Sequence, residues 1–232
     1  MKLEDSSAAA PKQPGSMEEI RERMEQANLM VDILSNIIEF RNGESGTHVM
    51  QIRLLTEMLL EELRRKTDQY ALEQSDILRV SLAAAIHDIG KIAIPNEILN
   101  KYGRLTQEEF SVMKDHTLIG ANMVKELPLN QEEPLVKTAY EICRWHHERY
   151  DGSGYPDGLR GEQIPISAQA VGLADVYSTM TTDRIYKKAL SHEEVIEMLL
   201  EGKCGAFHPA LLKCLKSIAD QIPGRIACGS TN

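Results

Sequence analysis

The run Val80-Ser81-Leu82-Ala83-Ala84-Ala85-Ile86 has almost no polar face, and it ends directly in His87-Asp88. A helix that is apolar all round has to be enclosed by other elements. This run therefore marks the centre of the fold and sets an imidazole and a carboxylate at the floor of a pocket. Burying that carboxylate is costly unless a cation compensates it. Around this centre the chain reads as helical, because no hairpin dipeptides stand between alternating apolar residues. The spacing predicts an all-α fold of seven to eight helices, at about 18–40, 45–66, 75–89, 106–126, 133–147, 167–182, 191–201 and 209–220. Thr106 before Gln107-Glu108-Glu109 and Ser191 before His192-Glu193-Glu194 carry the capping-box spacing that starts a helix.

A chain of 232 residues with 42% apolar content can fill one substantial core. Its formal charge of −9 argues against a partner that is a DNA or RNA polymer, since backbone binding needs a basic surface. Cys143, Cys204, Cys214 and Cys228 form no CxxC pair, which disfavours a zinc knuckle or a disulfide framework and fits reduced thiols in the cytoplasm. No apolar run reaches the ~18 residues of a membrane span, so no membrane insertion is expected. Residues 1–17 mix Ser, Ala, Pro, Lys and Gln without periodicity and read as a disordered leader. In 18–40, Ile20, Met24, Ala27, Val31, Leu34 and Ile38 recur at four- and three-residue steps, the seam of a packing or transmission helix. That seam fits either packing on the chain's own core or a homodimer. The main domain is expected over 41–222 and a flexible tail over 223–232. The Gly- and Pro-rich stretch 151–165 reads as a long ordered loop over the site.

The histidines sit beside other potential ligands. Glu44 and His48 are four apart and share one face of a helix that includes both. His87-Asp88 and His146-His147 are adjacent pairs. Neighbours on a helix point about 100° apart, so each pair can serve different ions or flank one where the helix ends. Lys91 closes His87-Asp88-Ile89-Gly90-Lys91, where Gly90 permits a sharp exit from the helix and lets an ammonium turn back over the site.

Residues 146–158, His-His-Glu-Arg-Tyr-Asp-Gly-Ser-Gly-Tyr-Pro-Asp-Gly, taken with His87-Asp88-Ile89-Gly90-Lys91, resemble the HD-GYP family of cyclic-dinucleotide phosphodiesterases. The resemblance runs over about 40–215. It implies that Glu44, His48, His87, Asp88, His116, His146, His147 and Asp175 are metal ligands. His116 lies in Met113-Lys114-Asp115-His116 and Asp175 in Leu173-Ala174-Asp175-Val176-Tyr177. Mixed imidazole and carboxylate donors without thiolates suit iron or manganese rather than structural zinc. Two or three divalent ions are implied, with Glu44 pointing to three. The resemblance also implies Asp88 and Lys91 as catalytic groups and Lys91, Tyr155, Arg184 and Lys187 as contacts to substrate.

The implied reaction is hydrolysis of cyclic di-GMP to linear pGpG, and then to GMP, by attack of a metal-bridging hydroxide on phosphorus. An upstream sensor or receiver domain in a longer protein would feed the N-terminal helix. Three residues depart from the family pattern: Ser178 stands where a second aspartate is usual, Ile185 replaces a proline, and His208 replaces an aspartate. Two other readings stand beside the main one. One is an HD-type phosphohydrolase of another nucleotide, including cyclic GMP-AMP; the other is a non-catalytic cyclic-dinucleotide-binding domain.

Overall fold

A computed structural model describes residues 17–42, 47–183 and 188–229, and among them every regular element is helical. In chain order the helices are α1 (Met17–Asn42), α2 (Thr47–Lys66), α3 (Gln74–Ala84), α4 (Asn96–Leu99), α5 (Gln107–Glu126) and α6 (Pro134–Trp145). They are followed by α7 (Ile166–Thr181), α8 (His192–Leu200), α9 (Pro209–Ile218) and α10 (Ile222–Gly229). Short 3-10 turns occupy Ile89–Ala93, Gly161–Gln163 and Ala219–Gln221.

Helix α2 is the axis of the packing, touching α3, α7, α9 and α10. Ile52, Leu55, Leu59 and Leu63 are its buried stripe, widened by Leu60, and the steps of three and four residues from Ile52 to Leu63 explain why one face can serve several neighbours. Helix α7 is enclosed on nearly all sides, with Ala170, Val171, Leu173, Ala174 and Tyr177 in the core. Its small residues let α6 approach closely. A Cβ on Gly172 would lie 2.2 Å from the carbonyl oxygen of His146, so only glycine brings α7 against the end of α6.

Two helix starts carry the capping boxes that the sequence marks. The Thr106 hydroxyl accepts the Glu109 N–H at 3.2 Å while the Glu109 carboxylate accepts the Thr106 N–H at 2.7 Å. Ser191 and Glu194 repeat the exchange at 3.2 and 2.8 Å. Each pair satisfies two otherwise orphaned donors.

Three expectations need correction. Helix α3 ends at Ala84 rather than near residue 89, and Ala85–Asp88 form a turn that leads into the 3-10 segment. The apolar run continues past this point without a sequence stop, so nothing local announces it. Gly90 accordingly does not end a helix. A Cβ there would meet the His116 carbonyl oxygen at 1.9 Å and the Gly120 nitrogen at 2.5 Å, so Gly90 allows the 3-10 turn to press against α5. Finally, part of the expected tail forms α10, with Ile222 fully buried and Ile226 packed on the core. Pro223 lies in the first turn of that helix, where its missing N–H costs nothing.

Helix α1 lies on the domain. Ser35 donates its hydroxyl to the Ala85 carbonyl at 2.8 Å, and Arg41 donates to the carbonyls of Lys91, Ile92 and Ile94. Arg53 of α2 reaches back to Asp32 at 2.5 Å. Of the expected seam, Ile38 is buried, Val31 half-buried and Leu34 exposed. Side chains at 20, 24 and 27 lie outside the described residues. No described helix is long and apolar enough to cross a membrane.

Candidate metal centre

Five histidines and two aspartates from five elements converge beneath the loop that follows α6. His48 stands in the first turn of α2, His87 and Asp88 in the turn after α3, and His116 in α5. His146 and His147 follow the last residue of α6, and Asp175 lies in α7. Ending α3 at Ala84 and α6 at Trp145 frees the backbone where each adjacent pair stands. The pairs can then splay in directions a continuous helix would forbid.

The side chains form two groups, Asp88 with His116, His146 and His147, and His48 with His87 and Asp175, whose donor atoms lie within 4.8 Å of one another in each group. Asp88 and His87 join the groups: His87 Nε2 is 3.2 Å from Asp88 Oδ2, and His116 Nε2 is 3.1 Å from Asp88 Oδ1. His48 Nε2 is 3.5 Å from Asp175 Oδ1. The rings of His87 and His146 meet at 5.1 Å, and those of His146 and His147 at 4.1 Å.

Orientation of the imidazoles is set by their other nitrogens. Nδ1 of His87, His116 and His146 lies 2.9, 2.6 and 2.8 Å from the carbonyls of Ala84, Met113 and Ile142. A carbonyl only accepts, so Nδ1 carries the proton in each ring and the lone pair falls on Nε2, the ligating tautomer. For His48 the partner is Ser178, whose hydroxyl oxygen is 2.8 Å from Nδ1 and itself donates to Gln51 Oε1 at 2.8 Å.

The fit to a cation rests on what these atoms lack. Nε2 of His87, His116 and His146 and Oδ1 of Asp88 are buried without hydrogen-bond partners. Orphaned polar atoms are rare in folded interiors and call for an explanation. Divalent cations, one in each donor group, would satisfy all four. The electrostatics point the same way. Burial, followed by the charge of His87, pushes His146 down to about 3, and burial also drives His147 well below its ordinary value. Both are therefore neutral donors at pH 7. Burial opposes the charge of Asp88, yet Lys91 and His87 hold its carboxyl well below the usual range. His87, against the same burial, is held up to about 9 by Asp88. A proton there occupies the place a metal ion would take.

Lys91 Nζ lies 2.5 Å from Asp88 Oδ2 at the rim of this cluster. Tyr155 stacks on His147 with centroids 4.7 Å apart and planes at 28°. Burial pushes its hydroxyl pKa up, so it keeps its proton. Glu44, Arg184 and Lys187 lie outside the described residues.

Several contributors carry no signal in the sequence. Glu148 accepts the N–H groups of Asp157, Gly158 and Leu159 at 2.7, 3.0 and 3.1 Å, clamping the loop that presents Tyr155. Arg144 and Trp145 fix Asp157 from outside. Glu39 of α1, 4% exposed, lines a small cavity of about 10 Å³ with His87 and Asp88. Cys143, beside the cluster, donates its thiol to the Ile86 carbonyl at 3.3 Å, has its pKa pushed up by burial, and belongs to neither donor group. His208 caps α9 by accepting the Ala210 N–H at 3.0 Å, so a ring nitrogen replaces the oxygen usual at that position.

Comparison with known proteins follows this geometry. The HD domain pattern matches residues 29–211. A probable cyclic di-GMP phosphodiesterase of Vibrio cholerae is 38% identical over 200 residues, covering 82% of this chain and 44% of the relative. The 3'3'-cGAMP-specific phosphodiesterase 2 of the same organism is 35% identical over 201 residues, covering 82% and 36%. The cyclic di-GMP phosphodiesterase response regulator RpfG of Xanthomonas campestris is 34% identical over 218 residues, covering 93% and 54%. The chain thus spans about half or less of the length of these relatives. A crystal structure of a V. cholerae cyclic GMP-AMP phosphodiesterase, V-cGAP3, superposes with a TM-score of 0.62 at 14% identity, over 89% of this chain and 51% of that one. At that identity the likeness speaks for the fold.

Proposed function

The chain belongs to the HD domain family, of HD-GYP type, and from that premise we propose that it is a metal-dependent phosphodiesterase of cyclic di-GMP. Linear pGpG is the first product and GMP that of a second cut. The observation that carries this reading is the pair of adjoining ligand groups with four buried, unpartnered donor atoms, roofed by Tyr155 and edged by Lys91. The donor set has no thiolate, which favours iron or manganese. Two ions match the two described groups, and Glu44 is the candidate for a third.

Bound divalent ions supply Lewis acidity toward the phosphodiester and make water acidic enough to attack near neutral pH. The chain's own groups do the rest. Asp88 and Asp175 bring the negative charge that retains cations, while five imidazoles hold them without adding charge. Lys91, poised against Asp88, neutralises a phosphate oxygen and donates a proton to the leaving O3′. The Tyr155 hydroxyl, rigidly held on His147, donates to the substrate beside the scissile bond. Arg184 and Lys187 bind the second phosphate, giving an acidic chain local positive charge.

Anaerobic turnover of cyclic di-GMP with iron or manganese, followed by separation of pGpG and GMP, tests the reading. Wild type depletes the substrate, and Asp88→Ala, short of a charged ligand, loses both metal and turnover. Binding without depletion supports the receptor reading instead, and preferential depletion of 3'3'-cGAMP supports the activity that one relative's name carries.

Beyond the site, we assign the exposed face of α1 to a homodimer. Met30, Ile33, Ile37 and Phe40 follow one another at steps of three, four and three, and all are exposed, Phe40 by 87%. This seam is distinct from the one that packs on the domain. Since Arg41 and Ser35 of the same helix hold the backbone that carries Asp88 and Lys91, α1 can transmit the state of an upstream sensor or receiver domain. A cytoplasmic setting accords with the free thiols of all four cysteines.

A further inference from the structure

On the outer side of Tyr155, two side chains of α5 complete a lip that the mechanism above does not use. Phe110 and Lys114 are four residues apart and so share a helix face. The Phe110 ring meets Tyr155 edge to face, with centroids 6.2 Å apart and planes at 83°. Lys114 Nζ lies 5.5 Å from the Phe110 centroid and 5.9 Å from that of Tyr155. Tyr155 is also the ring that stacks on His147. His116, two residues after Lys114, belongs to the first donor group, so the lip adjoins the candidate metal centre.

Two properties set this lip apart from ordinary packing. Phe110 remains 46% exposed although it adjoins a buried cluster. Among the described residues no carboxylate forms an ion pair with Lys114; its recorded partners are the two rings. An ammonium held by cation–π contact keeps donors free for a further acceptor. An exposed aromatic face beside such a donor suits a nucleobase, whose π-face stacks on the ring while its edge meets the ammonium.

We propose that Phe110 and Lys114 form a guanine subsite, Phe110 stacking on one base of the cyclic dinucleotide and Lys114 donating to its O6 and N7. Guanine presents two acceptors on that edge, whereas adenine sets an amino donor beside N7. Lysine therefore discriminates between the purines. The proposal rests on the phosphodiesterase reading and deepens it by naming what selects the base.

The experiment measures KM for cyclic di-GMP and Ki for cyclic di-AMP as its competitor, in metal-loaded wild type, Lys114→Met, Lys114→Arg and Phe110→Ala. Wild type shows the lower constant for cyclic di-GMP. Lys114→Met raises KM about tenfold, a loss of ~1.4 kcal/mol, raises Ki far less, and brings the two constants together. Lys114→Arg, which keeps a donor for O6 and N7, restores the preference. Phe110→Ala raises both constants, because stacking tolerates either purine. Equal changes in KM and Ki for Lys114→Met, or failure of arginine to restore the preference, overturn the guanine contact and leave Lys114 as a packing residue of the loop. Unchanged KM in both Lys114→Met and Phe110→Ala overturns the subsite while the phosphodiesterase reading stands. A wild type without turnover of cyclic di-GMP overturns that reading and the subsite with it.

Discussion

The Ser178 hydroxyl lies 2.8 Å from Nδ1 of His48 and joins that ring to Gln51 in one buried chain of hydrogen bonds. Ser178 stands three residues after Asp175, so one turn of α7 supplies both a candidate ligand and the group that orients another. The serine at a position where the family pattern has an aspartate is thus a supporting partner of His48. Ser178→Ala removes the hydroxyl that bridges His48 Nδ1 and Gln51 Oε1, at about 1–3 kcal/mol of stability. Loss of an outer partner of this kind typically lowers metal affinity ~10–100-fold. Ser178→Asp instead accepts the same N–H with a charged group and makes the imidazole more basic, so it retains metal more tightly than wild type. Metal content after dialysis against a chelator checks the order, aspartate above serine above alanine. An alanine variant that keeps its metal as wild type does would remove Ser178 from the site's support.

Arg184 and Lys187 are expected to act on substrate and not on metal, because neither can ligate a cation while charged. A charge-assisted phosphate contact is worth ~1.5–3 kcal/mol. Alanine at either position therefore weakens affinity for cyclic di-GMP about tenfold or more, with metal content unchanged. Binding by calorimetry to each variant decides the matter, and undiminished affinity in both returns these residues to the solvated surface.

What the sequence discloses here depends on how local the controlling interaction is. Thr106 and Ser191 announce α5 and α8 because a capping box is contained within four residues. The ligand segments are legible for a similar reason, since His87-Asp88 and His146-His147 are adjacent in the chain. The seven described candidates do come together in two groups. The end of α3 at Ala84 is silent because Ala85 and Ile86 are as apolar as what precedes them. The need for glycine at 90 comes from His116 and Gly120 of α5, far along the chain. Glu148 is invisible as a clamp because its partners are backbone amides, which every sequence has. Phe110 and Lys114 acquire meaning only when the loop carrying Tyr155 folds over them.

The exposed seam of α1 predicts self-association. Met30, Ile33, Ile37 and Phe40, flanked by Leu29 and Leu34, make a contiguous apolar surface of the kind that marks an interaction site. Ile33→Glu with Ile37→Glu places four like charges in the facing seams of a dimer and converts it to monomer, while the helical content is retained. Light scattering across a concentration series reads the mass directly. A wild type that stays monomeric throughout the series rules the homodimer out.

Glu62 carries part of the fold's acid sensitivity. Burial works against its charge, but hydrogen bonds from Ser217, Arg65 and Lys66 outweigh it and lower its pKa from 4.5 to about 2. The ion pairs to Arg65 and Lys66 measure 2.8 and 3.0 Å. A carboxyl depressed on folding contributes stability above pH 4.5, and that contribution is lost as pH falls toward about 2. Glu62→Gln is consequently less stable than wild type at neutral pH, and the difference shrinks through this window. Urea unfolding at stepped pH measures it; a difference that does not change with pH would show that the carboxylate charge is not what Glu62 contributes.

The number of ions turns on Glu44. His48, His87 and Asp175 form one described group and Asp88, His116, His146 and His147 the other, enough imidazole and carboxylate for two ions without any help. Glu44 precedes His48 by four residues and is the remaining carboxylate that the family pattern places at the centre. If it binds a third ion, Glu44→Ala holds one ion fewer per chain than wild type. The fold and part of the hydrolysis survive, because the two described groups are untouched. Metal analysis of anaerobically purified protein gives both counts, and equal counts for wild type and Glu44→Ala would leave a two-ion centre with Glu44 outside it.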